Sequence, residues 1–323
     1  MRILVTGANG FIGSVVVRKL IAADWVVRCL VRKASKTSRI DDLRFERAEG
    51  DVRDPSAVQA AVANCGAVIH LASIANWSDL SSREMDDVVV GGTKNVLKAA
   101  HSAGCSRVVY VSSSLAVCGS NKPQLFDETS HDRTKLDRLH YARAKAEAES
   151  LCREAGSEGL GVVIVNPGEV YGPNDITLVT AGNLIDFGKN SPVLVCAGGT
   201  AVVHVDDVAE GIIAALDRGR PGERYILGGE NLTIRQIAEL TLEILGQKKT
   251  IVPLPKWFVR SLAWLGRNLR IPLPFNPEVI PYATKYWFMD NTKARHELGV
   301  EFRSARETLR PTVLWLQEHG YIK

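Results

Sequence analysis

The chain has 323 residues, of which 46% are hydrophobic and 24% are charged, with a formal net charge of +4. These values exclude a disordered chain and indicate a globular protein of one large domain or two lobes, with no basic cluster that would indicate nucleic acid binding. Six cysteines are scattered without a CxxC pair, which favours reduced thiols and predicts neither disulfides nor a metal site. With no signal peptide and no integral membrane segment in the sequence, we expect a cytoplasmic protein.

The first thirteen residues, MRILVTGANGFIG, join a predicted strand that ends at Val5 to a predicted helix that begins near Phe11. Gly7 permits a tight turn, Gly10 permits close approach of a pyrophosphate, and Gly13 lets the helix pack on the strand. The helix N-terminus exposes backbone N–H groups that favour an anion. The pattern predicts a dinucleotide site, and the alternative is a glycine turn without a ligand.

Predicted strands and helices then alternate through the first half of the chain, and two of the helices are closed by Gly104 and Gly156. In chain order the elements are Ile3–Val5 (strand), Ile12–Ala22 (helix), Val26–Val31 (strand), Leu43–Ala48 (strand), Ala57–Ala63 (helix), Ala67–Leu71 (strand), Met85–Ala103 (helix), Arg107–Ser112 (strand), Tyr141–Ala155 (helix) and Gly161–Val165 (strand). This alternation predicts an α/β fold with a doubly wound parallel sheet of the Rossmann type.

Beyond residue 172 the alternation loosens and prolines gather. We expect residues 1–172 to form the dinucleotide-binding core and residues 173–323 to form a smaller, interleaved substrate lobe, with elements at about 200–228 returning to the core. Lys256–Arg270 predicts an amphipathic, aromatic-rich helix. We expect it to pack on the substrate lobe, and the less favoured alternatives are a lid over an apolar pocket and a peripheral membrane contact.

Tyr141 and Lys145 lie four residues apart on a predicted helix and therefore share one face. An ammonium group beside a phenol favours the phenolate, so we expect the pKa of Tyr141 to be lowered toward neutrality. Such a tyrosine can exchange a proton with a substrate oxygen. Ser112, Ser113 and Ser114 follow a strand at the carboxyl edge of the sheet, where a serine hydroxyl can bind the same oxygen.

Seven segments in this order resemble the extended short-chain dehydrogenase/reductase family over essentially the whole chain. The segments are TGANGFIG, GDVRD, HLAS, VVYVSSS, YARAK, NPGEVYGP and HVDDVAEG. The branch with dihydroflavonol reductases, 3β-hydroxysteroid dehydrogenases and hopanoid-associated sugar epimerases looks most similar. The resemblance implies hydride transfer at nicotinamide C4, with Tyr141 as acid/base, Ser114 polarising the carbonyl, and Lys145 holding the ribose and tuning Tyr141.

The resemblance also implies a set of cofactor contacts and a homodimer formed through the helices Met85–Ala103 and Tyr141–Ala155. His70 and His204 are expected to have structural roles only. The implied cofactor contacts are Gly7, Asn9, Gly10, Phe11, Ile12, Gly13, Asp51, Val52, Leu71, Ala72, Ser73, Tyr141, Lys145, Pro167 and Val170.

The end of the second predicted strand bears on the choice of cofactor. An NAD site commonly has an acidic residue at this position, but here Arg32 and Lys33 follow the strand and no acidic residue appears before Asp41. Because a guanidinium group and an ammonium group can pair with a 2′-phosphate, this segment favours NADP, with NAD as the alternative.

The substrate side is expected to include Asn76, Trp77, Ser114 and Glu169. The stretch 198–203 lacks the arginine that grips a diphosphate in the sugar-nucleotide epimerases, and Asn166 replaces the arginine of the RPxxVYGP form. We therefore expect an NADP-dependent oxidoreductase that acts on a ketone or secondary alcohol of a fairly apolar small molecule. The alternatives are a nucleotide-sugar epimerase or dehydratase with recycled NAD, and a non-catalytic NADP(H)-sensing protein.

Overall fold

The computed structural model describes residues 1–74, 83–130, 139–269 and 279–323, so the predicted substrate residues Asn76 and Trp77 lie outside the described part. A seven-stranded sheet, parallel at every strand pair, forms the centre of the protein. Its strands in spatial order are β11 (Arg224–Leu227), β7 (Val162–Pro167), β5 (Arg107–Val111), β4 (Ala67–His70), β1 (Arg2–Thr6), β2 (Val26–Val31) and β3 (Glu46–Glu49). The predicted doubly wound parallel sheet is confirmed.

Strand β1 is buried on both faces of this sheet. Leu4 enters the apolar cluster on one face, whereas Ile3 and Val5 enter the cluster on the other. This alternation follows from the two-residue period of a strand covered by helices on both sides. The strand order reverses between β1 and β4, so the carboxyl ends of these two strands border the crevice where open α/β sheets bind ligands.

Helices cover both faces of the sheet, and the segment predicted as one long helix at 85–103 contains a π-helical turn, Asp87–Gly91. A 3₁₀ turn, Ser114–Ala116, follows β5. The α-helices are α1 (Phe11–Ala22), α2 (Pro55–Val62), α3 (Arg83–Asp86), α4 (Gly92–Ser102), α5 (His140–Ser157), α6 (Gly182–Lys189), α7 (Val205–Arg218), α8 (Ile234–Ile244), α9 (Lys256–Leu269), α10 (Ile280–Ala283), α11 (Thr292–Leu298) and α12 (Ala305–Glu318).

Most predicted boundaries differ from the structure by one or two residues, and two of the differences have a local cause. The third strand covers only Glu46–Glu49, because Leu43 belongs to a turn in which its N–H donates to the carbonyl of Ile40. Gly156 does not end its helix, which continues to Ser157. Gly159, with φ +100°, is the left-handed residue beyond that helix, a conformation that a side chain disfavours.

Two smaller sheets lie outside the seven-stranded sheet. One contains β12 (Glu230–Thr233), β10 (Gly199–His204), β14 (Tyr286–Met289) and β6 (Leu125–Phe126), with β8 (Glu169–Tyr171) beside β10, and the other pairs β9 (Val193–Cys196) with β13 (Ile251–Leu254). Within the segment at about 200–228, α7 packs against α1 and β11 joins the seven-stranded sheet, whereas β10 belongs to the first of these smaller sheets. The division into a dinucleotide-binding core and a substrate lobe stays a prediction. No α-helix in the described ranges has the length and apolar character needed to cross a membrane.

Candidate active site

The glycine turn between β1 and α1 is sterically enforced. Gly7 has φ +69°, and a Cβ on it would lie 2.8 Å from the backbone nitrogen of Ala72. A Cβ on Gly13 would collide with the carbonyl oxygen of Gly7. No side chain caps the N-terminus of α1 at Gly10, so its first N–H groups remain available for an anion. The turn therefore has the shape that a bound pyrophosphate needs.

A buried histidine joins this turn to the loop after β4. His70 Nδ1 lies 2.6 Å from Thr6 Oγ1, and His70 Nε2 lies 3.1 Å from Thr93 Oγ1. Thr6 in turn accepts a hydrogen bond from the Ala72 N–H at 3.2 Å. Burial lowers the pKa of His70 to about 3, and the charge of Lys145 adds to this effect. His70 is therefore neutral and holds the predicted cofactor loop 71–73 against the glycine turn.

The adenine side of the cradle is cationic. Arg32 and Lys33 are exposed just beyond β2. Arg53 binds Asp51 at 2.8 Å and holds the pKa of that carboxyl below its usual value, and the charge of Arg32 acts in the same direction. Val52 is buried against Gly92. This electrostatic environment suits an additional phosphate on the adenosine ribose.

Arg39 is a residue of this cradle that the sequence reasoning missed. Its Nε donates to the Asn174 carbonyl at 3.2 Å, and its Nη1 donates to the Asn9 carbonyl at 3.3 Å. Its Nη2 is buried and has no partner among the described residues. Burial lowers the pKa of Arg39, and the charge of Asp175 opposes this effect. An unsatisfied cationic donor beside the glycine turn fits an anionic oxygen of the cofactor.

Lys145 is held under Tyr141 near the start of α5. The Lys145 side chain is buried, its ammonium donates to the Val111 carbonyl at 3.0 Å, and Nζ lies 6.0 Å from the centre of the Tyr141 ring. Burial lowers the pKa of Lys145 to about 8, while the charges of Glu149 and Cys152 oppose this shift. The ammonium therefore comes within reach of losing its proton in mildly basic solution.

The expected lowering of the Tyr141 pKa is wrong for this structure. Burial raises the pKa of the Tyr141 phenol to about 12, and side-chain hydrogen bonding with Ser113 and Ser73 opposes the rise. Burial dominates because it penalises the charged phenolate directly. The neutral phenol is the form that can donate a proton.

Of the three serines that follow β5, Ser113 is the one whose hydroxyl acts on the pKa of Tyr141. Ser113 Oγ also accepts a hydrogen bond from the Leu115 N–H at 3.2 Å. Ser114 is the residue that the sequence predicted to polarise the substrate. It is the first residue of the 3₁₀ turn, and only 3% of it is exposed. The assignment to Ser114 stays a prediction, and Ser113 becomes a second candidate.

A buried carboxylate lies behind these groups. Glu149 Oε1 accepts hydrogen bonds from Ser112 Oγ and Asn166 Nδ2, both at 2.7 Å. Glu149 Oε2 lies 2.8 Å from Arg153 and 3.4 Å from the buried Arg224. Arg224 thus supplies a cation next to Asn166, the residue that replaces the expected arginine. No local sequence pattern predicts this pairing, because Arg224 lies on the distant strand β11.

On the substrate side, Pro167 ends β7 and Val170 packs in the core beside Val203. Tyr171 Oη donates to Glu169 at 2.7 Å and accepts from Asn183 Nδ2 at 2.7 Å. Burial raises the pKa of Glu169. Hydrogen bonds to its carboxylate from Tyr171, Thr200 and Asn183 oppose this rise. The predicted substrate residue Glu169 therefore belongs to a buried polar cluster.

His204 has a structural role, as the sequence indicated. Its Nδ1 accepts a hydrogen bond from the Asp206 N–H at 3.1 Å and so caps the N-terminus of α7. Among the described residues, no group of histidine, cysteine and acidic side chains could hold a metal ion.

A nucleotide cradle at the switch point of a parallel sheet, with a Tyr–Lys pair at the sheet's carboxyl edge, defines an NAD(P)-dependent enzyme of the short-chain type. The chain belongs to the NAD dependent epimerase/dehydratase family, whose family model matches residues 3–228. Sterol demethylase protein B of Methylococcus capsulatus is 32% identical over 100% of both chains.

Two further relatives represent different chemistries. A ketoreductase of Stigmatella aurantiaca, named for 4-hydroxy-2-methyl-3-oxo-4-farnesyl-3,4-dihydroquinoline-1-oxide, is 30% identical over 93% of this chain and 91% of its own length. The crystal structure of PA4631, a nucleoside-diphosphate-sugar epimerase from Pseudomonas aeruginosa, is 27% identical with a TM-score of 0.82, covering 100% of this chain and 99% of that one. Both redox and epimerase relatives therefore share this fold.

Proposed function

We propose that the protein is an NADP-dependent oxidoreductase that interconverts a ketone and a secondary alcohol on a fairly apolar substrate. The observation that carries the proposal is the arrangement of Tyr141 over the buried Lys145, with Ser113 and Ser73 hydrogen-bonding to the phenol. This arrangement supplies a neutral proton donor, a cation and polarising hydroxyls around one position. Those are the groups that reduction of a carbonyl requires from the protein.

When bound, NADP(H) supplies or accepts the hydride. In the reducing direction Tyr141 gives its proton to the substrate oxygen, and Ser113 or Ser114 donates a hydrogen bond that favours the developing negative charge. Lys145, held by the Val111 carbonyl, stabilises the phenolate that remains and binds the cofactor ribose. In the oxidising direction the same groups act in reverse.

Binding of NADP rather than NAD is supported by the three cations around the glycine turn and by the lack of an acidic residue at the end of β2. Arg32 and Lys33 are free to meet a 2′-phosphate, and Arg39 directs an unsatisfied donor toward the same cradle. The glycine turn, the loop 71–73, Asp51 and Val52 would hold the rest of the cofactor.

An apolar substrate is supported by the strand that precedes the His204 cap. Residues 199–204 are all buried and include no lysine or arginine, so this strand offers a diphosphate no charge-assisted donor. The nearby carboxyl of Glu169 would also repel a second negative charge. The names of two relatives, a sterol demethylase protein and a farnesylated quinoline-oxide ketoreductase, refer to largely apolar ring systems.

Nucleotide-sugar epimerisation is the second candidate, favoured by the full-length similarity to the P. aeruginosa epimerase. An epimerase recycles its cofactor and so retains it. The absorbance of the protein after gel filtration distinguishes the two functions, because tightly held NAD(H) supports recycling and its loss supports a redox enzyme with exchangeable NADP(H).

The decisive experiment is a panel of ketones and alcohols assayed at the nicotinamide absorbance with NADP(H) and NAD(H). We expect turnover with an apolar ketone and NADPH, and we expect Tyr141→Phe to lower kcat by about 10²–10⁴-fold. If Tyr141→Phe leaves every measurable function intact, the protein is a non-catalytic NADP(H) sensor and the proposal is wrong.

A further inference from the structure

Helix α9 exposes its largest apolar side chains. Trp257 is 70% exposed, Trp264 57%, Phe258 39% and Leu265 36%. These four belong to the ten large apolar side chains that are exposed in the described part of the chain, so they are concentrated on one helix. Isolated exposed apolar residues are ordinary, whereas a contiguous group marks a surface that binds something.

The four side chains form two adjacent rows along the helix. Trp257 and Trp264 are seven residues apart, as are Phe258 and Leu265, and residues at this spacing lie on the same face of a helix. Ser261 is exposed between the rows. The Trp257 and Phe258 rings contact each other edge to face, with centroids 5.8 Å apart. We call this exposed surface the aromatic face.

The opposite side of α9 attaches the helix to the substrate lobe. Val259 and Ala263 are both buried and pack with Ile280, against Cys196 and Leu254. Small apolar residues therefore face the protein, and large aromatic residues face outward. The helix packs on the lobe as the sequence predicted, and it does so through its small apolar residues.

The charged residues in the sequence of this helix segment are all basic. Residues 256–270 contain Lys256, Arg260, Arg267 and Arg270 and no Asp or Glu. Lys256 Nζ donates to the Asn121 carbonyl at 2.8 Å, and Arg260 Nη2 donates to Thr284 Oγ1 at 3.2 Å. These bonds hold both cations where α9 meets the rest of the protein. Tryptophan, phenylalanine and leucine flanked by lysine and arginine are the composition of a helix that lies in a membrane interface.

We propose that α9 docks the protein onto the surface of an anionic lipid bilayer, with Trp257, Phe258 and Leu265 entering the interface between headgroups and acyl chains. The cations select an anionic lipid surface, and the aromatic side chains supply the apolar contact. This docking does not depend on the proposed reaction. Together with that reaction, it would place the substrate lobe beside a membrane in which an apolar substrate dissolves.

The test is flotation of the full-length protein with vesicles made of equal parts phosphatidylcholine and phosphatidylglycerol. We expect the protein to float with these vesicles, to bind pure phosphatidylcholine vesicles much less, and to dissociate as salt is raised. The double substitution Trp257→Ser/Phe258→Ser should weaken the partitioning by about tenfold or more, since it removes two side chains from an apolar environment.

The matched control is Leu314→Ser, which removes a side chain that is 42% exposed on helix α12. This variant should bind vesicles as the wild type does, and both variants should keep their thermal unfolding temperature and their NADPH affinity. The proposal is overturned if the wild-type protein does not float, or if the double variant floats equally well. A third outcome would also overturn it: the wild-type protein does not bind vesicles, and the double substitution abolishes self-association in sedimentation experiments without lipid. The aromatic face would then be an interface between two copies of the chain.

Discussion

The side chain of Asn166 donates a 2.7 Å hydrogen bond to Glu149, and through the same nitrogen it donates to the Ser113 carbonyl at 2.9 Å. Asn166 immediately precedes Pro167 at the end of β7, whereas Ser113 follows β5. The buried carboxylate of Glu149 therefore ties together two strand ends that carry proposed active-site residues. In the proposed reaction Glu149 would act through these neighbours, as a positioning residue.

Glu149→Ala should destabilise the protein by about 3–5 kcal/mol, because it removes the carboxylate from a buried network in which Ser112 and Asn166 donate to it and the Arg224 guanidinium lies 3.4 Å away. Glu149→Gln keeps an oxygen that can accept from Ser112 and Asn166, so it should fold with a smaller loss. Urea unfolding measures both free energies. Glu154→Gln, an exposed carboxylate on the same helix, is the control and should change neither stability nor activity. Equal unfolding free energies for the alanine and wild-type proteins would contradict this role.

Lys145 should set the basic limit of activity. Its ammonium is required in the charged form, and burial lowers its pKa to about 8, so kcat/KM should fall as the pH rises through that region. The charge of Glu149 opposes the lowering. Removing that charge in Glu149→Gln should therefore lower the pKa of Lys145 further and move the basic limb toward lower pH.

The pH dependence of kcat/KM for the wild type and Glu149→Gln measures this shift. The other groups around the Lys145 ammonium are Cys152, Tyr110, Tyr141 and His70, and none of them is altered by the substitution. A basic limb that stays in place, or that moves toward higher pH, would show that the charge of Glu149 does not act on Lys145.

The sequence predicted those parts of the site that depend on local constraints. Glycines are forced at positions 7 and 13 by backbone contact, and alternating apolar strands specify a parallel sheet, so both follow from residue type and spacing. The pairing of Arg224 with Glu149 joins residues 75 positions apart, and no local pattern encodes it. Periodicity likewise predicted that α9 is amphipathic, but it could not tell that its small residues, rather than its aromatic ones, face the protein.

Arg32 and Arg39 should contribute to cofactor affinity in different ways. If Arg32 meets the 2′-phosphate, Arg32→Ala should weaken NADPH binding by about ten- to a hundredfold and leave NADH binding unchanged. Arg39 contacts the Asn9 carbonyl of the glycine turn. Arg39→Ala should weaken the binding of both NADPH and NADH if its Nη2 meets the pyrophosphate, and of NADPH alone if its Nη2 meets the 2′-phosphate. Titration of nicotinamide fluorescence gives all four dissociation constants. The exposed Arg44 provides the control, and an unchanged NADPH/NADH preference in Arg32→Ala would refute the NADP assignment.

Gly13 should not tolerate a methyl group. A Cβ there would collide with the Gly7 carbonyl oxygen and lie 3.0 Å from the Ala8 Cα, and these backbone atoms cannot move aside cheaply. Gly13→Ala should therefore lose about 1–3 kcal/mol of stability and bind NADPH more weakly. Gly156→Ala, in a helix with nothing within 4 Å of the new Cβ, should instead gain up to about 1 kcal/mol. Thermal unfolding with and without NADPH compares the two, and similar effects of both substitutions would contradict the steric argument.

The roles of Ser113 and Ser114 can be separated by single substitutions. The Ser113 hydroxyl acts on the Tyr141 phenol. If this hydroxyl also polarises the substrate oxygen, Ser113→Ala should lower kcat by roughly tenfold to a hundredfold. The reason is the loss of one charge-assisted hydrogen bond to the developing oxyanion. Ser114→Ala should then act mainly on stability, since that residue is only 3% exposed. Steady-state kinetics and unfolding of both variants decide the matter. A large loss of kcat in Ser114→Ala at unchanged stability, with little effect of Ser113→Ala, would return the polarising role to Ser114, where the family register placed it.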